Sequence, residues 1–487
     1  MLTLYPDQTE LYSRIRESLR QGHRAPLAVA PCGFGKTVLF CELVRATIAK
    51  GNKVFILSHR EELVQQISDT LTAVGVPHSF VAAGREYDPK AMAWVCGIMT
   101  LNRRIAKGKA LTPPNFIIID EGHHATATTW GTALSHFRVV RLGVTATPQR
   151  LDGNPLGDVF DDLVVGPTAG DLIKARRLSA YAIVAPPAPD LTALRVDASG
   201  DFSRASLSKA ICKPVITGDA VAQYQKWAHG KRAVAFCVHI QHAKDVTAAF
   251  TAAGYRWATI DGTMDRGARK EMVSMFRQGF LDGLSSVDLI SEGFDLPAIE
   301  CAIMLRATKS LGLWIQQFGR ALRVYPGKEI AIILDHVGGT ESHKWLPEVA
   351  MQWSLDGKVK KPGDDDSGPS VRRCVNPACY RAQFTTAAVC QYCGTPFNSG
   401  LDIGPREVKH VAGELVPMTA EDLERIQRSR RVEQGRAESF EDLVELGRKR
   451  GMKNPVMWAH HVWLARMDKM HAQALAMNEA MKQGALV

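Results

Sequence analysis

The sequence predicts an α/β protein with two parallel sheets in tandem. Short apolar runs alternate with helical patterns over residues 25–150, and the alternation returns over residues 233–334. The chain of 487 residues is also too long for a single hydrophobic core. Its 46% hydrophobic and 23% charged residues are typical of a globular protein in water.

Each of the two series contains five predicted strands. In the first series we expect strands at residues 27–30, 54–58, 94–98, 116–120 and 139–144. In the second we expect them at residues 233–238, 257–260, 283–287, 302–305 and 330–334. Because helical patterns separate the strands, each series should form an open parallel sheet, and the hinge should lie near residues 166–179.

Composition then predicts the domain boundaries. Residues 351–370 are rich in Gly, Pro, Lys and Asp, which is typical of an exposed linker. We therefore divide the chain into two α/β domains at 1–167 and 168–350, this linker, a cysteine-bearing module at 371–400 and a helical accessory region at 401–487. Within the last region, Ser439 precedes two acidic residues and predicts a helix N-terminus.

The net charge and the cysteines indicate which class of partner and which redox environment the protein has. The net charge of +10 and the pI near 9.1 favour a polyanionic partner such as nucleic acid. No stretch approaches the roughly 18 apolar residues of a membrane helix, and the first residues lack a signal-peptide pattern. Six of the ten cysteines are scattered in apolar or motif contexts. The scattered cysteines predict a reduced, cytoplasmic protein, and the lack of a long apolar stretch predicts no membrane partner.

A glycine-rich segment follows the first predicted strand. Residues 30–37 read APCGFGKT, with alanine where the general phosphate-loop pattern has its first glycine. Gly33, Phe34 and Gly35 would turn backbone N–H groups toward phosphate oxygens at a helix N-terminus. Lys36 would neutralise the β- and γ-phosphates, and the Thr37 hydroxyl would bind Mg²⁺. The segment predicts a nucleoside triphosphate site, although a glycine-rich turn can also be purely structural.

Two adjacent carboxylates end the predicted strand at residues 116–120. Asp120 is suited to holding Mg²⁺, and Glu121 to polarising the water that attacks the γ-phosphate. The alternative is a solvated pair of loop acids. In combination with the phosphate loop, the pair predicts hydrolysis of a nucleoside triphosphate.

Four cysteines cluster after the linker. Cys374 and Cys379 are separated by four residues, ten residues follow, and Cys390 and Cys393 are separated by two. Two pairs of thiolates on short turns suit tetrahedral Zn²⁺, and four thiolates leave no open position for catalysis. We therefore predict a structural zinc site, with a disulfide pair as the alternative. A role in contacting nucleic acid and a role in docking a protein both stay open.

The acidic motif DEGH at residues 120–123 resembles that of the superfamily 2 helicases of the DEAD/DEAH group. Further segments resemble the motifs of this family in the family's order. They are SHREELVQQ at residues 58–66, TATP at 145–148, the stretch at 236–243, SEGFDLP at 291–297 and QQFGRALR at 316–323. The resemblance covers roughly residues 1–345 and implies two RecA-like domains that bind ATP between them.

The resemblance also implies roles for individual residues. The catalytic set would be Lys36, Asp120, Glu121, His123, Gln316, Arg320 and Arg323. Gln8 would contact adenine, although Tyr5 stands where the family usually has arginine, and Gly293 and Asp295 would complete the nucleotide site.

The segment with His59 and Arg60 would touch the nucleic-acid backbone, and Thr145 and Thr147 would couple hydrolysis to movement. His124 is interpreted as structural.

The two arginines can also be argued from chemistry. Phosphoryl transfer accumulates charge on the γ-phosphate, and an arginine brought across a cleft can stabilise that charge. Arg320 and Arg323 are three residues apart, so on a helical turn they can face the same cleft. From spacing alone, a solvated helix face is an equally good interpretation.

Residues 305–310 (LRATKS), 325–328 (YPGK) and the four cysteines resemble the RadD-like branch, and phage-encoded recombination or replication helicases are similar in layout. The leading hypothesis is an ATP-dependent DNA helicase or translocase of a bacterial cell or its phage, with a replication or recombination protein as a further partner. One alternative is an RNA helicase or remodeller. The other is a nucleotide-gated binding or loading protein that does not unwind.

Overall fold

The protein is represented by a computed structural model. It describes residues 3–149, 154–185, 194–197, 200–212, 214–287, 296, 298–356, 371–376, 378–384, 388–397, 437, 439–449, 455–456, 459 and 462–463. Residues 1–408 form one compact unit, and residues 409–487 form another. No helix in the described part of the chain combines the length and the apolar character needed to cross a membrane.

The first series of elements builds a parallel sheet. Its helices are α1 (Pro6–Arg20), α2 (Lys36–Ile48), α3 (Glu61–Ala73), α4 (Ile98–Ala106) and α5 (Thr128–His136), with short 3-10 turns at Gly122–His124 and Leu156–Asp158. Its strands are β1 (Pro26–Val29), β2 (Val54–Ser58), β3 (Ser79–Val81), β4 (Ala93–Gly97), β5 (Phe116–Asp120), β6 (Val140–Thr145) and β7 (Asp162–Val165). Within the described residues the strand order is β3-β4-β2-β5-β6-β1-β7.

The register of this sheet brings the predicted motifs to one edge. Val29 of β1 lies beside Thr145 of β6, and Asp120 of β5 lies beside Val144. Leu57, near the end of β2, pairs with Ile119. Because all of these pairs are parallel, the segments that follow the strands emerge together at the carboxyl edge, where open α/β sheets bind ligands.

The second series builds another parallel sheet. Its helices are α6 (Ala169–Lys174), α7 (Arg204–Ile211), α8 (Pro214–Trp227), α9 (Ile240–Ala252), α10 (Arg266–Arg277), α11 (Leu311–Leu322) and α12 (Gly339–His343). Its strands are β8 (Ala180–Val184), β9 (Ala233–Phe236), β10 (Trp257–Ile260), β11 (Gly283–Ser286), β12 (Cys301–Met304) and β13 (Ile330–Asp335). Their order is β10-β11-β9-β12-β13-β8 among the described residues.

The predicted fold class is confirmed. Each of the ten expected strands is present within one or two residues of its expected bounds, because both sheets are buried on both faces and their strands read as apolar runs. The strands β3, β7 and β8 were not predicted. Two of them contain only three or four residues, and all three lie at sheet edges. The domain boundaries given above stay predictions.

Strand β2 illustrates how the core is built on both faces of the first sheet. Val54 and Ile56 belong to one apolar cluster, whereas Phe55 and Leu57 belong to another, and none of the four side chains is exposed. Successive side chains of a strand point to opposite faces, so a strand covered by helices on both sides must be apolar throughout.

The cysteine-bearing module packs against the edge of the second sheet. Its strands β14 (Val371–Arg373) and β15 (Ala382–Phe384) form an antiparallel pair. Just beyond β8, the backbone N–H of Ala185 donates to the carbonyl of Tyr380 over 3.1 Å, and Val184 forms an antiparallel bridge with Arg381. The module therefore covers a strand edge that would otherwise expose unpaired backbone groups.

The described part of the second unit contains helix α13 (Phe440–Lys449). The hydroxyl of Ser439 accepts from the backbone N–H of Asp442 at 3.0 Å, and the Asp442 carboxylate accepts from the N–H of Ser439 at 2.9 Å. This reciprocal cap confirms the helix start predicted at Ser439. Most of the predicted helical region 401–487 lies outside the described residues.

Candidate functional site

The phosphate loop lies between β1 and α2 and depends on two left-handed glycines. Gly33 has a φ of +83° and Gly35 a φ of +87°, a region that side-chain-bearing residues rarely adopt. There is also no space for a side chain, because a Cβ on Gly35 would lie 2.5 Å from Nε2 of Gln8. The loop then enters α2 at Lys36, and the first residues of this helix, Lys36 and Thr37, line the cavity described below.

The Lys36 ammonium bonds to the loop itself. Its Nζ donates to the carbonyls of Ala30 at 3.1 Å and Pro31 at 3.3 Å. Neutral carbonyls are weaker acceptors than phosphate oxygens, so a bound triphosphate can replace them.

The acidic pair occupies the end of β5. Asp120 is 5% exposed, and burial raises the pKa of its carboxyl to about 7. The neighbouring Glu121 carboxylate contributes to this higher pKa, whereas Lys36 acts in the opposite direction. A divalent cation would offset the buried charge, and the oxygen donors of Asp120 and Thr37 are of the type that Mg²⁺ prefers.

Glu121 has an unusual backbone conformation. Its φ of +52° lies in the left-handed region, and its N–H donates to Oδ1 of Asp120 at 3.1 Å. Only a few per cent of residues other than glycine adopt such angles. The turn leads directly from the buried strand into the 3-10 turn and leaves Glu121 lining the same cavity as Asp120.

A cavity of about 890 Å³ brings the two α/β halves together. The first half contributes Gly33, Gly35, Lys36, Thr37, Asp120 and Glu121, and the second contributes Arg320 and Arg323. These residues were predicted from separate motifs, and the fold gathers them around one space. Although Arg320 is only 6% exposed, its side chain reaches this cavity.

One expectation about the arginines needs correction. We expected Arg320 and Arg323 on the same helical turn, but α11 ends at Leu322 and Arg323 is extended, with a φ of −61° and a ψ of +135°. The reason is tertiary, because Arg323 forms an antiparallel bridge with Leu178. Both arginines line the cavity all the same.

The sequence did not predict that Lys328 supports this end of α11. Its Nζ donates to the carbonyls of Ile299 at 2.8 Å, of Arg323 at 2.7 Å and of Ala321. Burial lowers the pKa of Lys328 to about 7, while Glu300 opposes this change. The lysine belongs to the YPGK segment, and that resemblance gave it no role of its own.

Arg177 was missed altogether. Its guanidinium forms an ion pair with the carboxylate of Asp7, donates to the Phe34 carbonyl at 2.6 Å and lies 4.0 Å from the ring centre of Tyr5. The next residue, Leu178, packs on the phosphate loop, since a Cβ on Gly33 would lie 2.6 Å from its Cδ2. In the sequence, an arginine in a predicted hinge that binds a distant carboxylate and carbonyl cannot be distinguished from an arginine that is simply exposed to solvent.

Gln8 lies behind the phosphate loop and does not line the cavity described above. It is 2% exposed, its Nε2 donates to the Phe34 carbonyl at 2.8 Å, and its Oε1 accepts from the Tyr5 N–H at 3.0 Å. Phe34 is fully buried as well. The adenine contact expected of Gln8 stays a prediction, whereas its support of the loop is direct.

Thr145 and Thr147, which are expected to couple hydrolysis to movement, lie between the acidic motif and α11. Nδ1 of His123 lies 2.9 Å from Oγ1 of Thr145 and 3.4 Å from a carboxylate oxygen of Glu121. Oγ1 of Thr145 donates to the carbonyl of Thr147 at 3.2 Å. Thr147 in turn touches the second half, because a Cβ on Gly312 of α11 would lie 2.9 Å from its Oγ1.

Helix α11 also carries Gln316, which is 5% exposed and does not line the cavity. Gly293 and Asp295, expected in the nucleotide site, lie outside the described residues. Their contribution stays a prediction.

A second cavity, of about 540 Å³, joins the carboxyl edges of the two sheets. Arg60 lines it from the first half, and Arg204 and His239 line it from the second. A groove with arginines from both halves is suited to a phosphate backbone. Arg204 was not predicted, because α7 showed no motif. His59 lies directly beside Arg60, and its contacts are described below.

The four cysteines meet as predicted. Their sulfur atoms all lie within 4.8 Å of one another, with Sγ of Cys374 and Cys393 3.6 Å apart and Sγ of Cys379 and Cys390 3.8 Å apart. Zinc–sulfur bonds of about 2.3 Å in a tetrahedron place sulfurs about 3.8 Å apart. The cluster therefore fits a zinc ion held by four thiolates.

Comparisons with known proteins agree with this geometry. Residues 1–150 match the family described as type III restriction enzyme, res subunit, and residues 217–325 match the helicase conserved C-terminal domain. A 51.5 kDa protein of Lactococcus phage (isolate 7-9) is 32% identical over 372 residues, which cover 76% of this chain and 77% of the phage protein. IRC3 of Saccharomyces cerevisiae, described as a candidate ATP-dependent helicase, is 29% identical over 66% of this chain, which spans only 50% of the yeast protein.

Two solved structures share the fold. A fragment of a candidate HsdR subunit of a type I restriction enzyme from Vibrio vulnificus YJ016 has a TM-score of 0.55 at 18% identity, covering 72% of this chain and 66% of its own. The ATP-dependent type ISP restriction-modification enzyme LlaBIII bound to DNA has a TM-score of 0.52 at 18% identity, and the match covers 69% of this chain and 28% of the LlaBIII chain. With its ordered motifs, its two parallel sheets and these relatives, the chain belongs to the superfamily 2 helicases and is an ATP-dependent helicase, a hydrolase.

Proposed function

We propose that this protein is an ATP-dependent DNA helicase or translocase, in which hydrolysis between the two RecA-like domains drives movement on DNA. The observation that carries the proposal is the shared cavity. It joins the phosphate loop and acidic pair of the first sheet to Arg320 and Arg323 of the second. Because both halves contribute residues to this site, hydrolysis would depend on how the halves are arranged, and a motor needs such a link between hydrolysis and domain movement.

In the proposed reaction, the loop N–H groups and Lys36 hold the triphosphate, and Thr37 and Asp120 hold Mg²⁺. The metal ion, when bound, neutralises charge on the β- and γ-phosphates. Glu121 orients the attacking water, and Arg320 and Arg323 stabilise the charge that develops on the γ-phosphate. Arginines in this position contribute on the order of 10³–10⁵ in rate.

The groove at the carboxyl edges is the proposed path of the strand. Arg60 and Arg204 lie on its two sides, so a nucleic-acid backbone in the groove would contact both halves. Movement of one half relative to the other would then change the distance between Arg60 and Arg204 and so the groove. The net charge of +10 supports a polyanionic partner.

DNA is favoured over RNA because a structural neighbour, the type ISP enzyme, is bound to DNA. An RNA substrate is the second candidate, since other relatives are named as RNA helicases, among them DBP3 of Phaeosphaeria nodorum at 23% identity.

The phage relative supports a bacterial or phage-infected cell as the setting. For the cysteine cluster we propose a structural Zn²⁺.

The test is ATP hydrolysis measured without nucleic acid and with DNA and RNA oligonucleotides of the same sequence. We expect DNA to stimulate hydrolysis more than RNA, and we expect Lys36→Ala and Glu121→Gln to abolish it. Lys50→Ala and Glu10→Gln, at exposed positions, serve as matched controls. Equal hydrolysis by wild type and both site variants would contradict the mechanism.

Strand displacement distinguishes a helicase from a nucleotide-gated loading protein. A fluorescent duplex with a single-stranded overhang should be separated in the presence of ATP by a helicase. DNA-stimulated hydrolysis without separation, combined with ATP-driven movement along a single strand, would indicate a translocase. Nucleotide-dependent DNA binding with neither activity would indicate the loading protein.

A further inference from the structure

Three imidazole rings form a continuous row at the carboxyl edge of the first sheet. The ring centres of His59 and His124 are 4.6 Å apart, and those of His124 and His123 are 4.1 Å apart. The fold produces this row because β2 and β5 are parallel neighbours. His59 directly follows β2, and the two consecutive histidines lie in the 3-10 turn after β5.

The two ends of the row lie at different sites. At one end, Nδ1 of His123 is 3.4 Å from the Glu121 carboxylate and 2.9 Å from Oγ1 of Thr145. At the other end, Nε of Arg60 donates to Nε2 of His59 over 3.2 Å. Arg60 lines the groove between the sheets. His124 thus lies between the ring of His123, which contacts Glu121, and the ring of His59, which bonds to Arg60 at the groove.

We propose that His124 is a positioning residue that transmits strand binding at Arg60 to Glu121 and His123. The inference rests on the proposed nucleic-acid-dependent hydrolysis. A phosphate in the groove would draw Arg60 toward it and change the hydrogen bond to His59. Because the three rings pack against one another, a shift of His59 changes the space available to His124, and a shift of His124 changes the space available to His123.

The proposal gives the second histidine of the acidic motif a distinct function. His123 connects Glu121 with Thr145 and, through Thr147, with α11 of the second half. His124 connects the same turn with the segment after β2. Spatial continuity alone does not demonstrate coupling, so the test must measure the coupling itself.

The experiment compares wild type with His124→Gln and His124→Phe. Glutamine keeps a polar side chain but removes the ring, whereas phenylalanine keeps a ring and removes the nitrogens. For each protein, the rate of ATP hydrolysis is measured with and without a saturating single-stranded DNA oligonucleotide, and DNA affinity is measured by fluorescence anisotropy. His136→Gln, at an exposed histidine of α5, is the matched control.

We expect His124→Gln to lower the stimulation ratio, the rate with DNA divided by the rate without it, at least fivefold. Its DNA affinity should stay within twofold of wild type. His124→Phe should keep most of the stimulation, because a ring still fills the row. A merely structural role would lower both rates together and leave the ratio unchanged, and that result would overturn the proposal.

A double-mutant cycle with His59→Gln sharpens the test. If His59 and His124 act in one row, the double variant should lose no more stimulation than the more affected single variant. If the loss of stimulation in the double variant equals the product of the two single losses, His59 and His124 act independently, and this result would contradict the proposed row. Wild type without stimulation by DNA or RNA would contradict the proposed function and this inference with it, whereas normal stimulation in both His124 variants would contradict only the inference.

Discussion

The two halves of the cavity hold their reactive groups in different ways. In the first half, local backbone geometry sets the shape, because Gly33, Gly35 and Glu121 adopt left-handed conformations within a few residues of the groups they position. Gln8 and Arg177 support the loop through the Phe34 carbonyl. In the second half, Arg323 follows the end of α11 and is held by distant parts of the chain. Its carbonyl accepts from Lys328, and its backbone pairs with Leu178.

This difference teaches where control of hydrolysis can reside. The shape of the phosphate loop is set by its own left-handed glycines, with support from Gln8, Arg177 and Leu178, so changes around α11 should alter nucleotide binding less than they alter hydrolysis. Arginines held by tertiary contacts can be withdrawn or presented when those contacts change. Substitutions of the phosphate-loop glycines should therefore affect nucleotide binding, and substitutions around α11 should affect the hydrolysis rate.

The largest effect on binding is expected at Gly35. Gly35→Ala combines a left-handed φ of +87° with a Cβ 2.5 Å from Nε2 of Gln8, so either the loop or the Gln8 amide that bonds to it must shift. We expect ATP affinity to fall by about 10- to 100-fold, which corresponds to ~1.4–2.8 kcal/mol. Isothermal titration with a non-hydrolysable ATP analogue measures it.

The control for this substitution is Gly51→Ala. Gly51 has a φ of +78°, but no atom lies within 4 Å of the position that a Cβ would occupy, so this variant carries the conformational strain without the clash. It should leave ATP affinity near that of wild type. Equal loss in the two variants would show that general instability, and not the loop, explains the result.

A smaller effect is expected when the support beneath Arg323 is removed. Lys328→Met keeps most of the side-chain volume but removes the ammonium that bonds to the carbonyls of Ile299, Ala321 and Arg323, and the Arg323 carbonyl keeps only the longer bond from Ser179. We expect the maximal hydrolysis rate to fall roughly three- to tenfold, at an unchanged affinity for ATP, as for loosened catalytic groups. A change confined to affinity would contradict the comparison between the halves.

Lys328 also predicts a pH dependence of stability. Burial lowers its pKa from 10.5 in the unfolded chain to about 7 in the folded protein, so between these values the unfolded chain binds more protons. Stability from this group therefore rises as pH increases from about 7 toward 10.5 and is constant below 7. The difference between the unfolding temperatures of wild type and Lys328→Met should change across this window, and a constant difference would contradict the assignment.

The smallest effect on the reaction is expected from zinc removal. The cysteine-bearing module covers β8 at the edge of the second sheet, through Ala185 and Val184. A chelator should therefore lower the thermal midpoint by a few degrees and increase hydrogen exchange in β8, while β1 keeps its protection. Unchanged exchange in β8 after verified loss of zinc would show that the hairpin is held without the metal.

The fold could be predicted from the sequence because its strands are apolar runs of the right length. Lys36 and Asp120 could be picked out as candidates because short patterns next to those strands specify them, and both line the cavity. Contacts across the fold leave no such pattern. Arg177 and Lys328 belong to no periodic pattern, and only the structure shows the carbonyls they bind.

The case of Arg323 shows the same limit within a recognised motif. Its residue type and its place near the nucleotide were predicted, but its extended backbone was not. That conformation results from pairing with Leu178, which is far away in the sequence. His124 was interpreted as structural, because a sequence cannot show that the rings of His59 and His123 lie on either side of it.

The most direct test of the central claim, that the second sheet completes the hydrolysis site of the first, is single-turnover hydrolysis by Arg320→Ala and Arg323→Ala with saturating DNA. We predict that both variants bind ATP within about threefold of wild type and hydrolyse it about 10³-fold more slowly. Hydrolysis by either variant at the wild-type rate would remove that arginine from the site. If both variants retained that rate, the claim would be wrong.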